Sequence, residues 1–187
     1  MNTLNSFLNK LPIAFYTLFT FTLSSCGGDR TYQTKTIENR YSISISRGMK
    51  QYTNHSNTIA MLYRDKERGE CIAVTDHLKE SGKALLTSHL QTLADNPELL
   101  GVSIKNARFG KPFAKQINGH NAIQAGMSAL IKLDDQWESV WGIVAYIEGK
   151  THIYQITTWL ADDEPGEDDA RLHDMINSFE ELKEEEY

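Results

Sequence analysis

The stretch Asn121-Ala122-Ile123-Gln124-Ala125-Gly126-Met127-Ser128-Ala129-Leu130-Ile131-Lys132-Leu133 decides the fold. Ile123, Ala125, Met127, Ala129 and Ile131 recur at every second residue, the period that lines one face of a β-strand. Leu133-Asp134-Asp135-Gln136 makes a turn, and Trp137 to Ile147 returns as a second strand. Glu148-Gly149-Lys150 is a tight turn signal, and Thr151 to Leu160 completes a meander. Strands joined by links this short run antiparallel.

Working back toward the amino terminus, Tyr41-Ser42-Ile43-Ser44-Ile45-Ser46 alternates strictly, with its apolar residues toward a core and its serines away from it. Gly48 marks the end of that strand. Asn57 to Tyr63 and Glu70 to Leu78 read as a hairpin around the charged link Arg64-Asp65-Lys66-Glu67-Arg68-Gly69. The period then changes. Leu85, Leu86, Leu90, Leu93 and Ala94 recur at spacings of three and four, which predicts a helix from Ser81 to Ala94 that stops near Asn96-Pro97. Gly101 to Phe109 is another strand, broken by Lys111-Pro112. Beyond the meander, acidic Asp162 to Asp169 reads as a solvated loop. Leu172, Met175, Ile176 and Phe179 follow at the spacing of one apolar helix face. The class is α+β, an antiparallel sheet of six to seven strands with helices packed on it.

Composition sets the outer limits. The chain has 187 residues, 19 Lys and Arg against 25 Asp and Glu, and a formal charge of -6. Apolar residues at 40% suffice for one core, and two cysteines are too few for a disulfide scaffold. No basic stripe or Lys/Arg run is visible, so a nucleic-acid partner is not expected.

Residues 1–25 read as a leader to be removed. Leu11 to Leu23 is almost wholly apolar but only 13 residues long, about 20 Å as a helix, where a bilayer core needs about 20 residues. The length suits a signal-peptide core, with Lys10 before it. Leu23-Ser24-Ser25-Cys26 resembles the lipobox of bacterial lipoproteins, which implies that Cys26 is lipidated on sulfur and becomes the mature amino terminus. Cleavage there leaves 162 residues with 18 cations against 25 carboxylates. An acidic body gains nothing from an anionic membrane surface, so attachment falls to the acyl chains. Residues 26–40 read as the lipidated Cys and a flexible tether, 41–182 as the folded domain, and 183–187 as an acidic tail. Gly27 stands where enteric bacteria use Asp for inner-membrane retention, which favours the outer membrane. With Cys26 lipidated, Cys71 is the one remaining thiol, and its apolar setting reads as a buried strand cysteine.

Several short stretches resemble PsbP-like domains. Tyr41 to Met49 is similar to their opening strand, Glu148-Gly149-Lys150 with Tyr154-Gln155-Ile156 to their central hairpin, and Ile176-Asn177-Ser178-Phe179 to their closing helix. The likeness spans about residues 37–182. It departs at Ser46-Arg47-Gly48, where the family often places a Pro two residues before the Gly. The family includes extrinsic photosystem II proteins, Ran-binding Mog proteins and bacterial lipoproteins. The resemblance implies an α/β/α sandwich and a role in protein binding or assembly without catalysis. It carries no family binding residue onto this chain.

Motifs for chemistry are missing. His55, His77, His89, His120, His152 and His173 form no His-x-His, His-Glu-x-x-His or Cys-His zinc spacing. Gly126-Met127-Ser128-Ala129-Leu130 lacks the second Gly of a nucleophile elbow. No catalytic residue, metal or cofactor is expected. One binding lead remains. Trp137 and Trp141, four apart on a strand, share a face, and Trp159 ends the next strand. They are either a covered sheet face or an aromatic platform for a peptide, glycan or apolar ligand. The expected function is a lipid-anchored envelope protein, attached to a membrane through Cys26 and binding a protein partner. The alternatives are a small-ligand carrier that uses the Trp face and a hydrolase or metal enzyme built from scattered His, Asp and Glu.

Overall fold

The computed structural model describes residues 32–52, 59–79, 86–97, 102–161 and 169–182. The expected leader (1–25), Cys26, the loop at 162–168 and the acidic tail (183–187) lie outside the described residues, as do residues 81–85 of the first expected helix. No described helix is long and apolar enough to cross a membrane.

The main sheet has eight antiparallel strands. In chain order they are β3 (Lys50–Gln51), β4 (Met61–Asp65), β5 (Glu70–Leu78), β6 (Ser103–Phe109), β7 (Phe113–Ile117), β8 (His120–Leu133), β9 (Gln136–Glu148) and β10 (His152–Leu160). Their spatial order is β3-β4-β5-β10-β9-β8-β6, with β7 also pairing with β8. The expected meander is therefore β8-β9-β10. Asp134 and Asp135 turn its first corner with φ of 48° and 64°. A two-residue hairpin loop that matches strand twist takes such angles, and Asp tolerates them.

A second, three-stranded sheet was not foreseen. In it β2 (Tyr41–Ser46) lies between β1 (Tyr32–Ile37) and β11 (Glu180–Glu181). The segment 32–37, expected to be tether, pairs residue for residue with β2 from Tyr32–Ser46 to Ile37–Tyr41. The domain thus begins at least nine residues before position 41, because Tyr32 and Ile37 pack on the core. Two of the three β2 serines are not solvated either. Ser42 and Ser46 are buried, and the Ser44 amide donates to the Ser178 hydroxyl at 2.8 Å.

Two cores sandwich the main sheet. On one face Ile72, Val74, Ile143, Ala145, Ile147, Tyr154 and Ile156 meet Tyr41, Ile43 and Ile45 of β2 and the helix α2 (Asp169–Asn177). Leu172, Met175, Ile176 and Phe179 are fully buried there, each stabilising by roughly 1.5–3 kcal/mol. Phe179 lies two residues beyond the helix end, so its place comes from the link to β11 and not from a helical face. Arg171 ties the first turn of α2 to the fully buried Glu70 carboxylate, at 3.6 Å. On the opposite face α1 (Leu86–Asp95) lays Leu90 and Leu93 over Ala125, Met127, Ala129, Ile131, Val140, Val144 and Trp159. The α/β/α layering holds, with the small sheet beside α2.

Candidate binding surface

Register places the three tryptophans. Trp137 stands opposite Lys132, and Trp141 lies between Ser128 and Leu160. Both point to the α2 side of the sheet, where Trp141 is half-buried against the core. Trp137 is 40% exposed, and the Lys105 ammonium sits 4.2 Å above its ring centroid. Such a cation–π contact contributes about 0.5–1 kcal/mol at an exposed site. Trp159 does not join them. It is 1% exposed on the α1 side, opposite Gly142. A Cβ on Gly142 would come within 2.7 Å of the Trp159 Cβ and would strike the Thr158 carbonyl. Gly142 therefore admits Trp159 to the core, and the expected platform reduces to Trp137 with part of Trp141.

Sequence reasoning missed Phe113. It is 49% exposed on β7, opposite Gln124, and so on the same face as Trp141. Its one signal was its position after Lys111-Pro112, which read as a break and not as the start of a strand. α2 lies over β2, β9 and β10, and the sheet face toward β6 and β7 extends beyond it.

A second feature is a cleft of about 170 Å3 between the β9–β10 turn and β11, lined by Arg40, Lys150, Thr151, His152, Tyr154 and Glu181. Its charges are largely matched from within. Arg40 pairs with Asp76 and with Glu38, the latter at 2.6 Å. Glu181 accepts from the Lys150 amide at 3.0 Å and from the Tyr154 hydroxyl at 3.2 Å. Burial, then the Glu181 charge, pushes the Tyr154 phenol up. Gly149 makes room for this carboxylate, since a Cβ there would meet Glu181 and lie 2.6 Å from the Tyr154 ring. The network holds β11 against the turn, and beside it the Thr151 hydroxyl lies 2.9 Å from His152 Nδ1.

Cys71 and two histidines lie elsewhere in the fold. Burial pushes the Cys71 thiol well up, against the weaker pull of Arg64, so the thiolate needed for attack is disfavoured. His77 and His89 approach with ring centroids 5.1 Å apart, and His89 stacks on Tyr146 at 5.5 Å. Among the described residues no group of three or more His, Cys, Asp or Glu is arranged to hold a metal.

No protein-family profile matches the sequence, and no curated protein matches it. Solved structures do. The solution structure of cyanobacterial PsbP (CyanoP) from Synechocystis sp. PCC 6803 has a TM-score of 0.56 at 16% identity, covering 86% of this chain and 99% of that one. The chain has the PsbP fold. The Saccharomyces cerevisiae Ran-binding protein Mog1p agrees at a TM-score of 0.54 and 14% identity, over 81% of this chain and 96% of its own. A Bacteroides thetaiotaomicron structure matches at 0.51 and 10%, over 79% of this chain and 47% of that one. At these identities the likeness is one of fold, so any site must be argued from this chain's own residues.

Proposed function

We propose that this chain is a lipid-anchored protein of the bacterial cell envelope that binds another protein through the Trp137 face and performs no catalysis. The observation that carries the binding role is that Trp137 and Phe113, opposite Lys132 and Gln124 of β8, are each about half-exposed on one sheet face that extends past α2. Large exposed rings on a flat, rigid sheet are the side chains that anchor protein interfaces. Mog1p, of the same fold, is named as Ran-binding, which supports this scaffold as a carrier of protein-binding faces. The anchor rests on Leu23-Ser24-Ser25-Cys26 after an apolar core too short to span a bilayer, and outer-membrane residence rests on Gly27.

Two readouts from one preparation test the reading. Mass spectrometry of the mature amino terminus is expected to find Cys26 carrying acyl chains, and an unmodified Cys26 or cleavage elsewhere removes the anchor. A photo-crosslinking residue at Ser139, exposed between the two tryptophans on β9, is expected to trap a discrete protein. That product is expected to fall about tenfold with Trp137→Ala, as loss of an anchoring tryptophan costs about 1.4 kcal/mol or more. No crosslinked protein from the intact chain overturns the binding role.

A further inference from the structure

Residues 99–133 carry five cations, Lys105, Arg108, Lys111, Lys115 and Lys132, and no Asp or Glu. The other 14 cations share the rest of the chain with all 25 carboxylates. Spread over 35 positions, the five do not read as a stripe. Strand register gathers four of them. Lys105 stands opposite Leu130, Arg108 opposite Ser128, and Lys115 opposite Ala122. Ser128, Leu130 and Lys132 alternate along β8 onto the face that carries Trp137 and Phe113.

The placement of Arg108 needs a specific device. It stands three positions after Lys105, which on a regular strand would send the two to opposite faces. Between them the β6–β8 register shifts, and Asn106 takes φ of 54°. This is a β-bulge, in which β6 advances three residues while β8 advances two. Arg108 therefore returns to the side of Lys105. Both are exposed, and among the described residues neither forms an ion pair. Lys132 is engaged by Asp135 at 3.0 Å, but Asp135 is almost wholly exposed and holds it weakly.

We infer that this face docks an acidic protein surface, with Lys105, Arg108 and Lys132 meeting carboxylates around the apolar contacts of Trp137 and Phe113. The inference rests on the protein-binding reading above and names the chemistry of the partner. Charge confines the occupant to a protein of limited footprint. Screening limits each cation to roughly 8–10 Å, so a partner seated on this face meets cations in excess, with Asp135 beside Lys132. An anionic membrane is a plane, and it would also meet the surrounding body, where 25 carboxylates outnumber 14 cations. Lysines, a bulge and Pro112 also guard an edge strand against pairing, but guarding does not require that the cations share a face with exposed aromatic rings.

The test uses the full lipidated chain in nanodiscs of neutral phosphatidylcholine, with labelled poly-L-glutamate as the acidic probe. Binding is read by fluorescence anisotropy at about 50 mM salt, where screening is weak. Lys105→Glu with Arg108→Glu is expected to weaken binding at least about tenfold, as like charges facing a partner do. Arg47→Glu with Lys50→Glu, an equal charge change at the opposite end of the sheet order, is expected to cost no more than about twofold. Lys105→Gln with Arg108→Gln gives a milder second variant, and thermal melts check that each folds. Equal loss in both charge-reversed chains, or no binding by the unchanged chain, overturns the inference. So does probe binding lost to phosphatidylglycerol discs that alter the tryptophan emission, which would make the face a lipid surface. If the Ser139 crosslink forms equally with and without the Lys105/Arg108 reversal, the acidic partner is wrong and the binding role stands. If the unchanged chain gives no crosslink, both fall.

Discussion

Phe179 shows how one residue joins chain ends to core. Its ring lies 4.8 Å from Tyr154, 5.8 Å from Tyr41 and 6.0 Å from His120, centroid to centroid. Its carbonyl accepts from the Asn118 amide at 2.7 Å. Phe179→Ala removes a fully buried ring from a site bounded by β2, β8, β10 and α2, which cannot all collapse into the space. The expected cost is about 3–5 kcal/mol in urea melts, a large part of the roughly 5–15 kcal/mol typical of a domain. A cost below about 1 kcal/mol would mean that the site closes over the loss or that the ring is not central. The apolar spacing made this residue legible as core, although it assigned the ring to a helical face that ends at Asn177. Trp159 was not legible in the same way. Its strand position gave a face only relative to its own strand, and Gly142, the neighbour that admits it, became visible only through register.

At the scale of elements, long alternating strands were legible and short ones were not. β8, β9 and β10 carry enough repeats for a period to show, whereas β3 and β11 have two residues each and owe their form to their partners. The basic face was hidden for a related reason. Its cations alternate with nothing, and only the bulge at Asn106 brings Lys105 and Arg108 to one side. The turn at Asp134-Asp135 was read and those at Glu38-Asn39 and Asn118-Gly119 were not, and the first has a pH signature. Asp134, at the β8–β9 corner, accepts from Lys66 at 2.7 Å and from Arg64 and Tyr52 at 3.1 Å, which ties that corner to the β4–β5 hairpin. Hydrogen bonds from Lys66 and Tyr52 hold its carboxyl below the ordinary 3.8. A depressed acid binds its proton later in the folded chain than in the unfolded one. Its stabilisation is therefore complete above that ordinary value and is lost as pH falls through the folded one. Asp134→Asn keeps a residue that tolerates positive φ and removes the charge. The gap in melting temperature between the two chains is expected to be present at pH 6 and to shrink below about pH 4. A gap that does not change with pH would show that the contacts at this corner do not depend on the carboxylate charge.

For the molecule as a whole, the small sheet is what closes the domain, and it does so with the two ends of the described chain. β2 supplies Tyr41, Ile43 and Ile45 to the core, and it is held by β1 on one side and β11 on the other. β1 is more than an edge. The Tyr32 hydroxyl donates to Asp174 of α2 at 3.0 Å, Gln33 donates to the Arg47 carbonyl at 3.2 Å, and Lys35 lies 5.4 Å over the Tyr63 ring. The polar composition of residues 29–40 concealed this, because a strand whose outer side faces water needs few apolar residues. Truncation separates the two descriptions of the segment. A chain starting at Thr31 keeps β1 and is expected to melt in urea within about 0.3 M of one starting at Gly27. A chain starting at Arg40 loses the ladder to β2 and the clasp on α2. Its midpoint is expected to fall by at least about 1 M, which is roughly 1–3 kcal/mol at the usual urea slope of a small domain. If both truncations melt like the longer chain, residues 32–37 act as a tether after all, and the small sheet contributes nothing to holding β2 on the core.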